Sequence, residues 1–232
     1  MSLAGMGVVC IWHDLLADAK DDFYQWHARE HMPERVAIPG FRRGRRYVAV
    51  AGAPEFFNLY EADTAEVLGG RDYLNRLNAP TEWTRRVVTS FRNVSRSICR
   101  VAFSGGVGQG GLMLTRCFDV GAADRERALT ALRQRLLPTL ADRTGIAGVH
   151  LCVADEIISN VDTAEKKARA DATSVPAWIV LIEGLSQSAV VAAEASLAAQ
   201  MRATLDAACC APAVTAVYRL EHECGKTSGS AG

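Results

Sequence analysis

Two histidines and a glutamate that could perform chemistry stand close together in the segment FYQWHAREHMPER, residues 23–35. His27, Glu30 and His31 follow the order H-x-x-E-H. Histidines four residues apart share one face of a helix, so they can bind one metal ion with the glutamate beside them as a base. The spacing therefore indicates two possible chemistries. One is hydrolysis at a zinc site, and the other is proton transfer by a histidine without a metal.

A zinc site would need a third protein ligand, and the sequence around these histidines does not identify one. Pro33 follows His31 by two residues and predicts that the helix bends or ends there. His13, on the first predicted strand, could approach the two histidines as a further metal ligand. The sequence does not identify a residue that would bind the metal together with it. We therefore expect no bound zinc, and we expect His31 to act as a proton acceptor.

The helical positions favour His31 as the functional histidine. At 100° per residue, Phe23, His27 and Glu30 cluster on one side of the helix, with Trp26 on one flank and His31 on the other. The aromatic side chains predict that this face packs on a sheet. A histidine at the border of that face is desolvated, which keeps imidazole neutral and able to act as a base. For His27, a structural and a functional role are equally compatible with the pattern.

The overall composition narrows the classes of partner. The chain has 232 residues, 49% of them hydrophobic, and its 26 Lys and Arg residues balance 26 Asp and Glu residues. This balance argues against nucleic acid or an anionic membrane as a partner. The N-terminal residues show no signal peptide and no apolar run is long enough for a membrane span, so we expect a cytoplasmic protein. The seven cysteines are scattered without a C-x-x-C pair, which predicts reduced core residues.

The hydrophobic periodicity predicts the same order of elements, βαββαβ, in each half of the chain. The predicted strands of the first half are GVVCIWH, FRRGRRYVAV, EFFNLYEA and VSRSICRVAF, and its helices cover residues 18–36, 64–77 and the segment from NAPTEW to residue 91. The predicted strands of the second half are GLMLTRCF, AGVHLCVA, AWIVLIEG and AVTAVYRLEH, and its helices cover residues 124–143 and 188–208.

The two halves also align with each other. EFFNLYEA lies over AWIVLIEG without a gap, which matches Glu61 to Glu183. A second alignment, with three inserted residues, matches Pro33 to Pro138 and places His31 opposite Leu136. We therefore predict an α+β fold of two tandem ferredoxin-like units with antiparallel sheets. The predicted boundaries are 5–104 for the first unit, 105–110 for a Gly-rich linker, and 111–223 for a second, degenerate unit without the histidine.

Two further segments need an interpretation. Gly106, Gly108 and Gly111 satisfy the dinucleotide-binding pattern G-x-G-x-x-G, but a strand and not a helix is predicted to follow, so a flexible connection is favoured. Residues 155–176 form a charged insertion between the central strands of the second half. A solvated hairpin loop or short helix is favoured for the insertion over a lid, although long loops in compact domains are often functional.

The segments FYQWHAREHMPERVAIPGFRRGRRYV, NLYEADTAEVL and YLNRLNAPTEWT, together with the duplicated topology, resemble the dimeric α/β-barrel superfamily, and its EthD-like branch in particular. The topology covers both halves, whereas the motif covers only the first. The resemblance implies that the two sheets pair as an α/β-barrel, with the second half as a built-in partner, and it also admits a homodimer. The superfamily includes cofactor-free monooxygenases, lactone isomerases, polyketide cyclases, aldoxime dehydratases and haem enzymes, so fold alone does not give the activity.

The predicted site lies in the first half, between the helix of residues 18–36 and the sheet, with His31 as the catalytic base. The residues predicted to line it and to bind substrate are Trp26, His27, Arg46, Tyr47, Asn58, Tyr60 and Trp83. For Arg42, Arg43, Arg45 and Arg46, a solvated strand face or an intersubunit salt-bridge cluster is favoured over an anion site.

Three functions compete at this stage. The favoured one is a cofactor-independent enzyme that removes a proton from a small apolar or aromatic carbonyl or phenol compound, as an isomerase, cyclase, decarboxylase or monooxygenase does. The alternative is a noncatalytic small-molecule-binding or stress-associated protein with the same pocket. The third is a haem enzyme, for which His150 is an axial candidate on a strand instead of the expected helix.

Overall fold

The computed structural model describes residues 3–169, 172–205 and 213–226, and these form one closed barrel of eight antiparallel strands. Around the barrel the strands follow the order β1-β3-β2-β8-β5-β7-β6-β4. The strands are β1 Gly7–Leu15, β2 Phe41–Ala51, β3 Phe56–Ala62, β4 Phe91–Gly106, β5 Leu112–Phe118, β6 Ile146–Ala154, β7 Trp178–Gly184 and β8 Val214–Gly225.

Helices cover the outside of the barrel. The first half carries α1 Lys20–Trp26, a π-helical turn His27–His31, α2 Met32–Ala37, α3 Ala65–Leu68, α4 Arg71–Asn78 and α5 Glu82–Val88. The second half carries α6 Arg125–Ala131, a π-helical turn Leu132–Leu136, α7 Leu137–Ala141, α8 Glu156–Ser159, α9 Ala164–Ala168 and α10 Gln187–Thr204. The predicted end of the last helix, residues 206–208, lies outside the described residues.

Each half has the same strand order, which confirms the predicted fold class. In both halves the fourth strand pairs with the first, the first with the third, and the third with the second. Two seams, β2 with β8 and β4 with β6, then join the halves into the barrel. The strand that follows the Gly-rich stretch is β5, as predicted.

The long helix of the first half does not end at Pro33, because α2 continues from Met32 to Ala37. Pro33 has no N–H to donate to the carbonyl four residues earlier, and the turn before it widens into a π-helix. There the N–H of Met32 donates to the carbonyl oxygen of His27, five residues back. The second half repeats this arrangement before Pro138, where Leu137 donates to Leu132. The alignment of Pro33 with Pro138 therefore predicted a shared backbone feature.

The Gly-rich stretch begins inside a strand. β4 extends to Gly106, and Gly105 and Gly106 pair with β6. Gly110 approaches the backbone of Gly184 so closely that a Cβ atom there would lie 2.4 Å from the Gly184 carbonyl oxygen. The N–H of Gly110 also donates to Glu183 Oε2 at 3.2 Å. Close approach of the two backbones accounts for the glycine at this position.

The barrel interior contains a buried network of charges centred on Arg45. Its guanidinium lies 2.9 Å from Glu61 Oε1 and 3.1 Å from Glu183 Oε2, and all three side chains are buried. Arg43 donates to both oxygens of Glu61, at 2.9 and 2.8 Å. His150 Nε2 lies 3.3 Å from Glu183 Oε1. Glu61 and Glu183, which the internal alignment matched, thus meet at one arginine.

This network corrects the interpretation of the arginine run. Only Arg42 lies on a solvated face, where it pairs with Asp63. Arg43, Arg45 and Arg46 are buried, because both faces of the sheet are covered, one by helices and the other by the opposite wall of the barrel.

Five of the cysteines are described and all five are free. Cys10, Cys99 and Cys152 are buried in the barrel core, as predicted, whereas Cys117 and Cys224 are half-buried. Cys209 and Cys210 lie outside the described residues. Within the described ranges, no helix is both long and apolar enough to span a membrane.

Candidate functional site

A small cavity lies between the α1–π–α2 helix and the outer face of the sheet in the first half. Its volume is about 20 Å³, which is room for about one water molecule. The apolar side chains that line it are Ile11, Trp26, Val88 and Phe91. The polar side chains that line it are His27, His31, Asn58, Tyr60, Glu165 and Arg169.

Local structure explains why these side chains converge. Asn58 and Tyr60 alternate onto the outer face of β3, where they face the helix. The π-helical turn carries His27 and His31, whose rings stack with centroids 5.7 Å apart. Trp26 anchors the start of this turn, because its indole N–H donates to Thr84 Oγ1 at 3.1 Å.

His27 is held in one tautomer by its two neighbours. Arg46 Nη1 lies 3.4 Å from Nδ1, and a guanidinium only donates, so Nδ1 is an acceptor. The single proton of the neutral ring then lies on Nε2, which faces the Tyr60 hydroxyl at 3.0 Å. The hydroxyl oxygen accepts that hydrogen bond, which leaves its own proton free for a group in the cavity. Burial raises the pKa of Tyr60 far above its usual value, so the phenol stays protonated.

His31 is the cavity histidine with an open ring nitrogen. Its Nδ1 is buried and has no hydrogen-bond partner in the part of the chain that the structure describes. Its ring lies 4.2 Å from the ring of Trp26. Burial lowers the pKa of His31 well below 6.5, and the positive charges of Arg35 and Arg169 lower it further. His31 is therefore neutral at physiological pH and can accept a proton from a group in the cavity.

Asn58 completes the polar lining through a third histidine. His13 stacks on Phe91 with ring centroids 4.1 Å apart, and its Nε2 lies 3.0 Å from Asn58 Nδ2. The amide nitrogen is a donor, so His13 Nε2 accepts and the amide is fixed in orientation. Asn58 Oδ1 is thereby left buried without a donor. The cavity offers an open acceptor at Asn58 as well as an open hydroxyl donor at Tyr60.

Two lining residues come from the insertion of the second half, and the sequence interpretation missed them. Glu165 lies on α9 and Arg169 directly after it, and both side chains are buried. Glu165 pairs with Arg35 of α2 and, at 3.5 Å, with Arg169 Nη2. The only available sequence signal was the acid–base spacing of these two residues at i and i+4.

The structure separates three other predicted residues from the cavity wall. Tyr47 points into the barrel core, beside Arg45, with its ring on the side of the sheet opposite to the cavity. Trp83 is partly buried in a neighbouring cluster, and its indole N–H donates to Asp22 at 2.8 Å. Arg46 acts through His27, and its Nε also donates to Glu221 Oε2 at 2.8 Å.

In the second half, apolar side chains fill the space between the helix and the sheet that is equivalent to the cavity. Its π-helical turn carries Leu132 and Leu136, which pack with Leu140, Leu151 and Met201 in one hydrophobic cluster. Leu136, opposite His31 in the internal alignment, is buried there. Among the described residues, this space lacks the polar lining found in the first half.

The superfamily that the sequence resembles includes haem enzymes, but neither His150 nor the cavity beside His31 suits a haem. His150 is buried inside the barrel, where Nε2 faces Glu183 at 3.3 Å and Nδ1 faces Ser104 Oγ at 2.9 Å. Both ring nitrogens are engaged, so His150 does not suit an axial role. The cavity beside His31 is also far smaller than the roughly 300 Å³ or more of a typical cofactor pocket. In the described part of the chain, no three His, Cys, Asp or Glu side chains are placed to hold a metal ion together.

The buried histidines predict a loss of stability in mild acid. Burial lowers the pKa of His13 to about 3 and the pKa values of His27 and His31 well below 6.5. Below pH 6.5 the unfolded chain binds protons that the folded chain does not, so the free energy of unfolding falls as the pH decreases. We expect it to be about 4 kcal/mol lower at pH 5.5 than at pH 7.5, as measured by urea denaturation.

Replacement of His13 by phenylalanine is the control for this effect. The His13→Phe variant is expected to lose about one third of the pH dependence, whatever its stability at pH 7.5. Equal free energies of unfolding at pH 5.5 and 7.5 in the wild type would contradict the assignment of three neutral buried histidines.

Comparison with known proteins shows similarity at the level of the fold. No protein-family profile and no curated protein matches the sequence. Among solved structures, an anthrone oxidase-like protein has a TM-score of 0.61 at 12% identity, with 95% of this chain and 92% of that chain covered. The chain therefore shares the overall α+β barrel fold of this structure.

Two further members of this fold match over nearly the whole chain. A proposed monooxygenase from Fusobacterium nucleatum has a TM-score of 0.60 at 8% identity, with 97% of this chain and 96% of that chain covered. A chlorite dismutase variant from Candidatus Nitrospira defluvii has a TM-score of 0.56 at 8% identity, with 94% and 91% covered. The similarity of fold therefore extends over nearly the whole chain.

Proposed function

We propose that this dimeric α/β-barrel protein is an enzyme that removes a proton from a small apolar or aromatic carbonyl or phenol compound, with His31 as the base and without a cofactor. The observation that supports this most strongly is the open Nδ1 of a buried, neutral His31 that faces a cavity with polar lining. A base must be deprotonated and within reach of the acidic proton, and this histidine meets the first condition by its environment.

The neighbouring side chains supply the remaining parts of a proton-transfer site. As His31 takes a proton from carbon or oxygen, negative charge develops on the carbonyl or phenol oxygen of the substrate. The free hydroxyl proton of Tyr60 is suited to donate a hydrogen bond to that oxygen. Arg46 and His27 keep the hydroxyl in the donating arrangement. Exclusion of water strengthens each of these interactions.

The structural neighbours support an aromatic substrate in this proposal. The names of two of them, a proposed monooxygenase and an anthrone oxidase-like protein, describe oxidative chemistry on small molecules. Removal of a phenolic or carbonyl-activated proton is a first step shared by oxygenation, isomerisation, cyclisation and decarboxylation. The site thus supports a proton-transfer step, and the reaction that follows it depends on the substrate.

A substrate of this kind is larger than the cavity, so part of the wall must move on binding. The α9 segment of the insertion is the candidate, because it closes the cavity with Glu165 and Arg169 and is held to the first half by polar contacts. Loops that close over a site exclude water from the reaction. In this proposal the insertion acts as a lid.

The second candidate function is noncatalytic binding of a small molecule at the same cavity. The observation that favours it is the tight closure of the site, which suits retention of a ligand more directly than repeated turnover. The two functions share the cavity and differ in whether a proton moves.

A ligand screen followed by an exchange measurement separates the two functions. Flat aromatic, polyketide-like and lactone compounds are screened by thermal shift, since a specific ligand stabilises the native state. Each stabilising compound is then incubated with the protein in D2O, and loss of its acidic C–H signal is followed by NMR. Accelerated exchange supports the enzyme. Stabilisation without exchange for every ligand would contradict it and favour the binding protein.

The relationship to the EthD-like branch and the origin of the chain by duplication are part of this proposal. The matched π-helical turns before Pro33 and Pro138 support the duplication. The proposed units span residues 5–104 and 111–223. A homodimer and a cytoplasmic location remain predictions.

A further inference from the structure

The insertion of the second half crosses to the helical face of the first half. Ser159, at the end of α8, accepts a hydrogen bond at Oγ from the N–H of Ile98 in β4, at 2.9 Å. The first residue of α9, Ala164, donates its N–H to Asn78 Oδ1 of α4 at 3.0 Å. These contacts place α9 above the cavity in this structure, and the residue directly after it, Arg169, reaches the lining.

Arg169 is a buried cation with unused hydrogen-bonding capacity. Only 4% of its side chain is exposed. Its Nη2 faces Glu165 Oε1 at 3.5 Å, whereas Nε and Nη1 are buried and have no hydrogen-bond acceptor among the described residues. Buried arginine nitrogens are normally paired, because an unpaired buried donor loses its hydration without compensation. The unpaired nitrogens belong to a side chain that lines the cavity beside His31.

Among the described residues, the buried positive charges around Arg169 outnumber the buried negative charges. Arg35, Arg96 and Arg169 are all buried, and among the described residues Glu165 is the buried carboxylate that faces this group. Glu34 lies 3.8 Å from Arg35, but its side chain is 25% exposed and is shared with another arginine. Arg96 donates to a tyrosine hydroxyl, which carries no charge. Three guanidinium groups therefore surround one buried carboxylate.

We propose that Arg169 binds an anionic oxygen of the ligand, so that the site selects organic anions such as aromatic carboxylates or phenolates. An anionic oxygen in the cavity would accept from the open Nε and Nη1 groups and would balance the excess positive charge. The inference deepens the proposed function, since the anion occupies the cavity that contains His31. It makes the insertion of the second half a determinant of substrate class for the first half.

The position of the anion also fits the proton-transfer chemistry. The guanidinium groups of Arg35 and Arg169 are close enough to His31 to lower its pKa. A ligand carboxylate or phenolate bound at Arg169 is therefore held near the base. An aromatic ring attached to it can contact the apolar part of the lining, where Trp26 and Phe91 lie.

Benzoate and its neutral isostere benzamide are the probes that test this selection. Binding of each to the intact protein is measured by isothermal titration calorimetry at one fixed ionic strength. Benzoate is expected to bind at least tenfold more tightly than benzamide, because a hydrogen bond to a charged group contributes more than a neutral one. Equal affinity for the two compounds, or binding of neither, would overturn the proposal.

Two substitutions on the same short segment assign the effect to Arg169. Arg169→Gln is expected to weaken benzoate binding about 10- to 100-fold and to leave benzamide binding unchanged. Lys167→Gln removes the same charge from an exposed position of α9 and should leave both affinities unchanged. Undiminished benzoate binding by Arg169→Gln would overturn the assignment. If that variant does not fold, Arg169→Lys, which keeps the charge but not the planar donor group, is expected to bind benzoate at least threefold more weakly than the wild type.

These measurements can reject the anion site without rejecting the proposed enzymatic function, and the reverse also holds. Benzoate binding requires no turnover, so an anion site can be demonstrated even if no ligand exchanges its proton. Conversely, if neutral carbonyl compounds exchange protons while benzoate does not bind, His31 keeps its role and the anion site is rejected.

Discussion

Replacement of His31 by glutamine is expected to slow the proton exchange of a bound ligand by about 100- to 10,000-fold. Glutamine keeps a polar side chain of similar size against Trp26, but it cannot accept the proton. Ligand affinity should change much less than the exchange rate, because the cavity wall is retained. The measurement is the NMR exchange assay at saturating ligand, which reports kcat separately from binding.

The pH profile gives this prediction a second, independent observable. The positively charged surroundings and burial lower the pKa of His31, so the base stays deprotonated as the pH falls through 6.5. In the wild type, the acid limb of the rate profile should therefore lie well below pH 6.5, and it should be absent from the residual activity of His31→Gln. His222→Gln alters a histidine of β8 that does not line the cavity and serves as the matched control. A variant without His31 that exchanges as fast as the wild type would remove the base from the mechanism.

Replacement of Arg45 by methionine is expected to lower the free energy of unfolding by about 3–5 kcal/mol. Methionine fills much of the volume of the arginine but leaves two buried carboxylates, Glu61 and Glu183, without their shared cation. The arginine nitrogens lie within 3.1 Å of both carboxylates. Urea denaturation followed by circular dichroism at pH 7.5 measures the change.

Arg42→Met is the matched control for the buried network. Arg42 lies on the same strand, but its side chain is 53% exposed and pairs only with a partly exposed Asp63. Such surface pairs contribute up to about 1 kcal/mol, so the control should lose less than that. Equal destabilisation by the two substitutions would mean that removal of an arginine from β2, and not the buried network, determines the loss.

Much of the fold followed from local sequence patterns. The alternation of apolar residues located all eight strands, and the internal alignment located the repeated helix through Pro33 and Pro138. The same alignment matched Glu61 with Glu183 before either was known to contact Arg45. These predictions depended on one property of the chain. Its two halves share a local sequence pattern, so their residues can be compared position by position.

The interpretation of individual side chains failed where both faces of the sheet are buried. Every residue of β3 is buried, so alternation along the strand does not distinguish a solvent face from a core face. Arg46 and Tyr47 are adjacent and must point to opposite faces. No pattern in the strand sequence decides which of the two side chains faces the helix. Arg46 pairs with Asn58 in the sheet register and faces the helix with it, whereas Tyr47 faces the barrel core.

The contribution of the insertion could not be predicted from its own residues. Glu165 and Arg35 are 130 residues apart in the sequence, and their contact depends on how two complete units dock. A charged segment of this kind indicates a solvated hairpin loop or short helix when it is considered alone. The structure instead buries Glu165 and Arg169 at the cavity. Long-range docking of this type leaves no periodic signal in a single sequence.

The seams between β2 and β8 and between β4 and β6 have a consequence for how the site responds to concentration. Both seams join strands of one polypeptide, so closure of the barrel is an intramolecular event. The local concentration of one half around the other is set by the chain that connects them and does not change on dilution. A wall of the cavity that α9 brings from the second half is therefore present at nanomolar as well as at micromolar protein.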